Sequence, residues 1–367
     1  MGISCEISLC RPADGRYIFQ PGSIVSGGIR YYLHEEYEFS SITVSLKGLG
    51  KLYFEDKARK RRDRIYKYSN NETYADIRHI IHQKDTAEVL PVGQYETQFS
   101  FQLPFDIPAS LDYTKHTASY YARCTIQYYV RIKFERPGMF NFNKHYKKEI
   151  NVISGQVPRM TTQPLIYGDQ KKLLQLGSLF SSKKGIVNLK ATVANSVFRP
   201  GENVQIDYEI ENDTNVEIIK VSVRLLEVDK YTSQGGLEVK VKSVVDGTKF
   251  LHESISGGDT VKFTAEIAVP ELCASIDHSN MIARDYCLMS TVVMPMPHIN
   301  MILEMPIQVI DILSSSFQEC SAGSTAERRP DDAPPTYWEA MGEEKKGSMG
   351  EEEEAGLEYE EENEGKK

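Results

Sequence analysis

The chain has 367 residues, 40% of them hydrophobic and 26% charged, with a formal net charge of −9. That length predicts two domains, and the apolar share is enough for folded cores. No apolar run is long enough for a membrane-spanning helix, and Met-Gly-Ile-Ser-Cys-Glu at the start lacks the basic and apolar regions of a secretory signal.

The charge is local. From Ser314 onward there are 16 acidic and 6 basic residues, so the rest of the chain is near neutral and offers no global basic field for nucleic acid. Cys5, Cys10, Cys124, Cys273, Cys287 and Cys320 show no Cys-x-x-Cys spacing, as expected of reduced thiols in an intracellular chain.

In chain order, Ser4–Leu9 reads as a first strand. Gly2 and Cys5 suggest acylation, but Glu6 stands where the myristoylation pattern wants Ser or Thr. Phe19-Gln-Pro-Gly-Ser-Ile-Val25 is a tight turn, in which proline pre-sets φ and Gly22 supplies a positive one. In the next strand Ile42, Val44 and Leu46 face a core while Thr43, Ser45 and Lys47 face water. The densest basic run follows as a loop between strands: Lys57, Arg59, Lys60, Arg61, Arg62 and Arg64, suited to anionic lipid headgroups or phosphates. Ile126, Tyr128, Val130, Ile132 and Phe134 alternate with polar residues in a further strand.

Strand patterning stops over 154–164, which reads as a linker between a sandwich at 1–153 and another at 165–313. The strands of the second are expected from near Ile186. Before them, 169–176 is the best helical candidate. Asp169, Leu173 and Leu174 there match an acidic dileucine signal, of the kind a clathrin adaptor reads when it is exposed. Val204, Ile206, Tyr208 and Ile210 then alternate with Gln205, Asp207 and Glu209, and the strands end near Leu313. Beyond Ser314 aliphatic residues nearly vanish, which predicts a disordered acidic tail.

An internal repeat organises the strands. Phe19-Gln-Pro-Gly returns as Phe198-Arg-Pro-Gly, Ile42-Thr-Val-Ser as Ile219-Lys-Val-Ser, and Phe101-Gln-Leu-Pro as Ile267-Ala-Val-Pro, in the same order. The fold class is therefore all-β, with two tandem antiparallel β-sandwiches. No Gly-x-Ser-x-Gly elbow, P-loop or dinucleotide fingerprint is present. His79 and His82 have no second ligand pair, so no metal or other cofactor is expected, and no enzyme. Asn71 and Asn212 head glycosylation sequons that an intracellular chain would not use.

These twin Pro-Gly turns, together with Ser100-Phe-Gln-Leu-Pro-Phe-Asp-Ile-Pro-Ala-Ser110 and the Ile126-Gln-Tyr-Tyr-Val-Arg strand, resemble the arrestin fold over residues 1–313. Pro334-Pro335-Thr336-Tyr337 looks like the Pro-Pro-x-Tyr motif of the α-arrestins, where two copies are common; this chain has one. The resemblance implies a cytoplasmic adaptor that is recruited peripherally to plasma membrane and endosomes. Pro334, Pro335 and Tyr337 would engage a WW-domain HECT-type ubiquitin ligase, and the sandwiches a membrane receptor or transporter cargo for ubiquitination and endocytosis. A polyproline turn suits an aromatic WW groove because little of its freedom remains to be lost on docking. The alternative is a structural subunit of an endosomal trafficking coat, or a cargo scaffold, that needs no ligase.

Overall fold

The computed structural model describes residues 2–10, 18–61, 64–137, 143–153, 158–173 and 185–310, with side chains at 58–65 and 83–88 excepted. Every helix or strand among them is a strand. The first sandwich comprises β1 (Ile3–Leu9), β2 (Ile18–Phe19), β3 (Ile24–Leu33), β4 (Tyr37–Arg61), β5 (Arg64–Leu90), β6 (Gly93–Gln102), β7 (Leu111–His116), β8 (Tyr120–Glu135) and β9 (Lys144–Val152). One of its sheets runs β1-β3-β6. The other runs β2-β9-β8-β4-β5, with β7 also on β8. Ile29, Leu33 and Phe101 from the first join Val44, Leu46, Val130 and Ile132 from the second in one core.

The second sandwich comprises β10 (Leu165–Leu173), β11 (Gly185–Val193), β12 (Val197–Phe198), β13 (Asn203–Asp213), β14 (Lys220–Thr232), β15 (Glu238–His252), β16 (Thr260–Ala268), β17 (Ile282–Val293) and β18 (Met301–Val309). Its sheets run β10-β11-β13-β16 and β12-β18-β17-β14-β15. Val187, Ile206, Val223 and Leu288 belong to its core.

The repeat is physical. Gly22 and Gly201 have φ of +79° and +83°. The amide after each glycine bonds back across the turn: Ser23 to the Gln20 carbonyl at 3.0 Å, and Glu202 to the Arg199 carbonyl at 3.1 Å. In both sandwiches a two-residue strand pairs in parallel with the last strand, β2 with β9 and β12 with β18. A serine then closes each sandwich. The Ser110 amide reaches the Val152 carbonyl at 2.7 Å while its hydroxyl accepts the Val152 amide; Ser275 and Val309 repeat the pair at 2.8 Å. This Ala-Ser equivalence is absent from the three matches read in the sequence.

Four expectations are corrected. Residues expected as the best helical candidate lie partly on β10, which pairs with β11 from Leu165↔Val193 to Leu173↔Gly185. The strands of the second sandwich therefore begin at Leu165, about one strand earlier than the pattern near Ile186 suggested. The polar face of β4 is not wet throughout: Ser45 is 1% and Lys47 8% exposed, since Lys47 is ion-paired to Asp76 of the neighbouring strand. The basic run is not a loop, because β4 continues to Arg61 and β5 starts at Arg64.

Candidate functional site: the β4–β5 hairpin and the sandwich junction

β4 and β5 form one long hairpin, paired from Tyr37↔Leu90 to Arg61↔Arg64 with four register shifts. Along β4, Leu52 and Phe54 are buried while the alternate residues Lys51 and Tyr53 are exposed. Phe54 packs with its ring tilted against Tyr231 of β14 at 5.0 Å and stacks on Tyr120 at 5.6 Å. Asn70 Nδ2 donates to the Thr232 carbonyl at 2.9 Å, and the Gln234 amide to the Ser69 carbonyl at 3.0 Å. The stem is thus pinned to the β14–β15 hairpin. Towards the tip, the Lys57 amide donates to Ser119 at 2.8 Å and Lys57 Nζ sits 2.9 Å from His116 Nε2. Arg59, Lys60 and Arg61 fall on the end of β4 and Arg64 on the start of β5, while Arg62 lies outside the described residues. Strand pairing therefore brings Arg59, Lys60, Arg61 and Arg64 to one end of the hairpin.

A charge cluster closes the junction between sandwiches. Asp229, 1% exposed, accepts from Arg284 Nε at 2.7 Å and Nη2 at 3.1 Å, from Tyr231 at 3.0 Å and from Tyr113 of β7 at 3.1 Å. Lys115 pairs with Glu227 across the junction at 2.7 Å, and the Arg284 guanidinium lies 4.3 Å from the Tyr113 ring centre. Burial alone would pull the Arg284 pKa down, but the bonds and charge of Asp229, with Glu227, hold it above its ordinary value. Burial first, then the Asp229 charge, pushes the Tyr113 hydroxyl up. Both acids and both bases are therefore used internally, and the cluster fixes the junction.

A second latch uses Glu72 on β5. It accepts from Tyr74 at 2.8 Å, from Ser279 at 3.3 Å, and from the Asn280 amide and Nδ2 at 3.1 and 2.6 Å. His278, at φ +61°, bonds to Asp106 beside it. These residues line a polar cavity of about 360 Å³.

Burial pushes the Cys124 and Cys287 thiols up to about 12 and Cys5 to about 11, so each is a protonated, poor nucleophile near neutral pH. His79 packs against Phe101, ring centres 4.6 Å apart and planes tilted. Asn212 is fully buried, its Nδ2 bonded to the Val216 and Ser256 carbonyls, so that sequon serves as a loop clamp.

Leu173 is 4% exposed in the second core. An adaptor could read it only if β10 left its sheet, so the dileucine reading does not fit this placement; Asp169 is exposed, and Leu174 lies outside the described residues. So do Pro334, Pro335 and Tyr337. The junction cluster was missed in the sequence, although Glu227, Asp229 and Tyr231 continue the inward parity of Val221, Val223 and Leu225. Charge at inward positions was the available signal.

Comparison with known families decides the identity. Residues 5–156 match the family described as arrestin (or S-antigen), N-terminal domain, and residues 183–314 match its C-terminal domain. The chain belongs to the arrestin family. Arrestin-family proteins are generally non-enzymatic adaptors, which supports a protein-binding role in trafficking. β10 falls between the two matches although it is hydrogen-bonded into the second sandwich. Among the described residues, no helix is long and apolar enough to cross a membrane, and no group of three or more His, Cys, Asp or Glu is placed to hold a metal.

Proposed function

We propose that this arrestin-domain chain is an adaptor of the α-arrestin kind, bringing a WW-domain HECT-type ubiquitin ligase to a membrane receptor or transporter. The observation that carries this reading is Pro334-Pro335-Thr336-Tyr337, following two arrestin domains on one chain. Two prolines present a preformed extended turn, and the tyrosine fills a pocket beside it. Cargo and ligase on one chain raise the effective concentration of ligase at the cargo, so ubiquitination and endocytosis follow from proximity. The cations of the β4–β5 end supply a contact for anionic lipid or phosphate at the cargo. The working location is the cytoplasmic surface of plasma membrane and endosomes.

Affinity capture from lysate with the wild-type chain and with Tyr337→Ala, read for WW-domain ligases, tests this. The wild type should retain HECT ligases and the variant should lose them. Equal capture by both, or capture by neither, would favour a ligase-independent scaffold or coat subunit.

A further inference from the structure

Away from the hairpin end and the junction, one edge of the three-stranded sheet lacks the protection that neighbouring edges carry. β6 pairs with β3 from Ile24↔Gln102 to Leu33↔Gly93 in one unbroken register, and among the described residues no strand lies on its other side. The Leu103 amide donates to the Ser23 carbonyl at 2.9 Å, the next step of that register. Alternation along an antiparallel pair then turns the backbone groups of Phe101, Phe99, Thr97 and Tyr95 towards β3. Those of Gln94, Glu96, Gln98, Ser100 and Gln102 point away, each presenting an amide and a carbonyl along a regular edge.

Open edges are ordinarily blunted by charge, by bulges or by covering groups. β5, the nearest edge of the opposite sheet, has four register shifts against β4. The Ile3 carbonyl of β1 accepts from Tyr146 of β9. β16, the counterpart of β6 in the second sandwich, carries Lys262, and its Phe263 is stacked on His252 and Phe250 of β15 at 4.1 and 6.0 Å. β6 has a single charged residue, Glu96, which is paired with Arg30 at 3.5 Å. Beneath it, where His79 meets Phe101, Ile77 and Ile81 of β5 and Tyr95 of β6 are only partly buried against the first core.

The edge is also its own complement. With a second copy turned about a two-fold axis at Gln98, Gln98 meets Gln98, Glu96 meets Ser100, and Gln94 meets Gln102. Every outward-bonding residue of the strand finds a mate, and each pair can exchange two backbone hydrogen bonds. No like charges are opposed. The two Glu96 carboxylates stay four residues out of step, roughly 14 Å apart along the strands and beyond the screening length at ordinary salt.

We propose that β6 is a self-association edge, to which a second copy of this chain adds in antiparallel register centred on Gln98. The two three-stranded sheets then become one continuous sheet, and Ile77, Ile81 and Tyr95 are covered at the seam. An unrelated extended peptide fits less well, because the edge offers little to select its side chains, whereas the chain's own sequence matches itself position by position. The dimer does not depend on ligase recruitment, although it sets two Pro-Pro-x-Tyr segments on one particle.

Sedimentation velocity of the full chain over a rising concentration series provides the test, with monomer expected to pass into dimer. Gln98→Lys sets like charges face to face and should weaken association about tenfold or more. Ser100→Lys should strengthen it, since the new cation meets Glu96 of the second copy. Thr264→Lys, at the equivalent place on β16, should behave as the wild type does. All three positions are exposed, so the monomer fold is expected to survive each change. Cross-linking reads the register. Gln98→Cys, treated with oxidised glutathione, should give a disulfide-linked dimer above the wild-type background, because α-carbons of a hydrogen-bonded pair lie about 5.5 Å apart. Gln94→Cys, whose mate is Gln102, should not. A wild type that stays monomeric up to about 1 mM would overturn the edge. So would a dimer indifferent to Gln98→Lys, or cross-linking at residue 94 without cross-linking at residue 98.

Discussion

Gly22 lies directly under the ring of Phe105: a β-carbon placed on it would fall 2.3 Å from Phe105 Cε1. Its counterpart Gly201 has only Glu271 Cγ nearby, at 3.7 Å. Both glycines hold positive φ, so valine at either place strains the backbone by roughly 1–3 kcal/mol. Gly22→Val must in addition displace the ring of Phe105, which is 76% exposed and can turn out into solvent, so the extra loss is expected to be smaller than the backbone strain. Urea denaturation of both variants should show a loss at each, modestly larger at residue 22. Equal losses would mean that Phe105 swings aside freely.

Asp229→Asn should be far worse than its modest change in shape suggests. It leaves Arg284 buried with its nearer counter-charge gone, at a cost of about 3–5 kcal/mol. Asp229→Asn combined with Arg284→Met should recover much of that loss, because the orphaned charge goes too. A double-mutant cycle measures this coupling, and a single variant as stable as the wild type would contradict the cluster's role at the junction.

The parts of the fold legible in the sequence were those with short periods. Ile42, Val44 and Leu46 alternate as a half-buried strand must, and all three are fully buried. The Pro-Gly turns were legible because only a few residue types accept their dihedral angles. β10 was hidden because it is an edge strand whose inward positions include Tyr167 and Leu173 but also charged neighbours, so Lys-Lys-Leu imitates a helix. Asp229 and Arg284 were hidden for another reason: they are 55 residues apart and meet through a sheet, which no local spacing encodes. Lys47 misled because its partner Asp76 comes from the returning arm of the hairpin.

Glu72→Ala should loosen one side of the junction. The Asn280 amide and the Ser279 hydroxyl lose their shared acceptor, a loss of about 1–3 kcal/mol. Hydrogen exchange at Asn280 should quicken while that at Leu288, in the second core, stays slow. Unchanged exchange at Asn280 would show that the loop is held by other contacts.

Alkaline pH should weaken the fold. The Cys124 and Cys287 thiols rise from an ordinary 9.0 to about 12 in the folded chain, chiefly through burial. Between those values the unfolded chain releases protons that the folded chain keeps, so stability is full below about pH 9 and falls as pH approaches 12. Cys124→Ala with Cys287→Ala should shallow that decline, measured as denaturation midpoints from pH 8 to 11. The buried tyrosines, also raised, account for the slope that remains.

Trp338, the only tryptophan, directly follows Tyr337. Labelled as 5-fluorotryptophan, it should shift and broaden when a WW domain is added, and do neither in Tyr337→Ala. A resonance unmoved by saturating WW domains from several ligases would remove the ligase arm of the proposal.

The parallel pairing of β12 with β18 bears on mechanics. The chain leaves the described body just after Val309, on a strand held by β12 on one side and by β17 on the other. Force applied through the residues that follow would pull along that strand, while its backbone bonds lie across the pull. The bonds must then shear together instead of unzipping one at a time. Pulled through the residues that follow it, the second sandwich would therefore resist at that anchorage more than at an edge that could unzip.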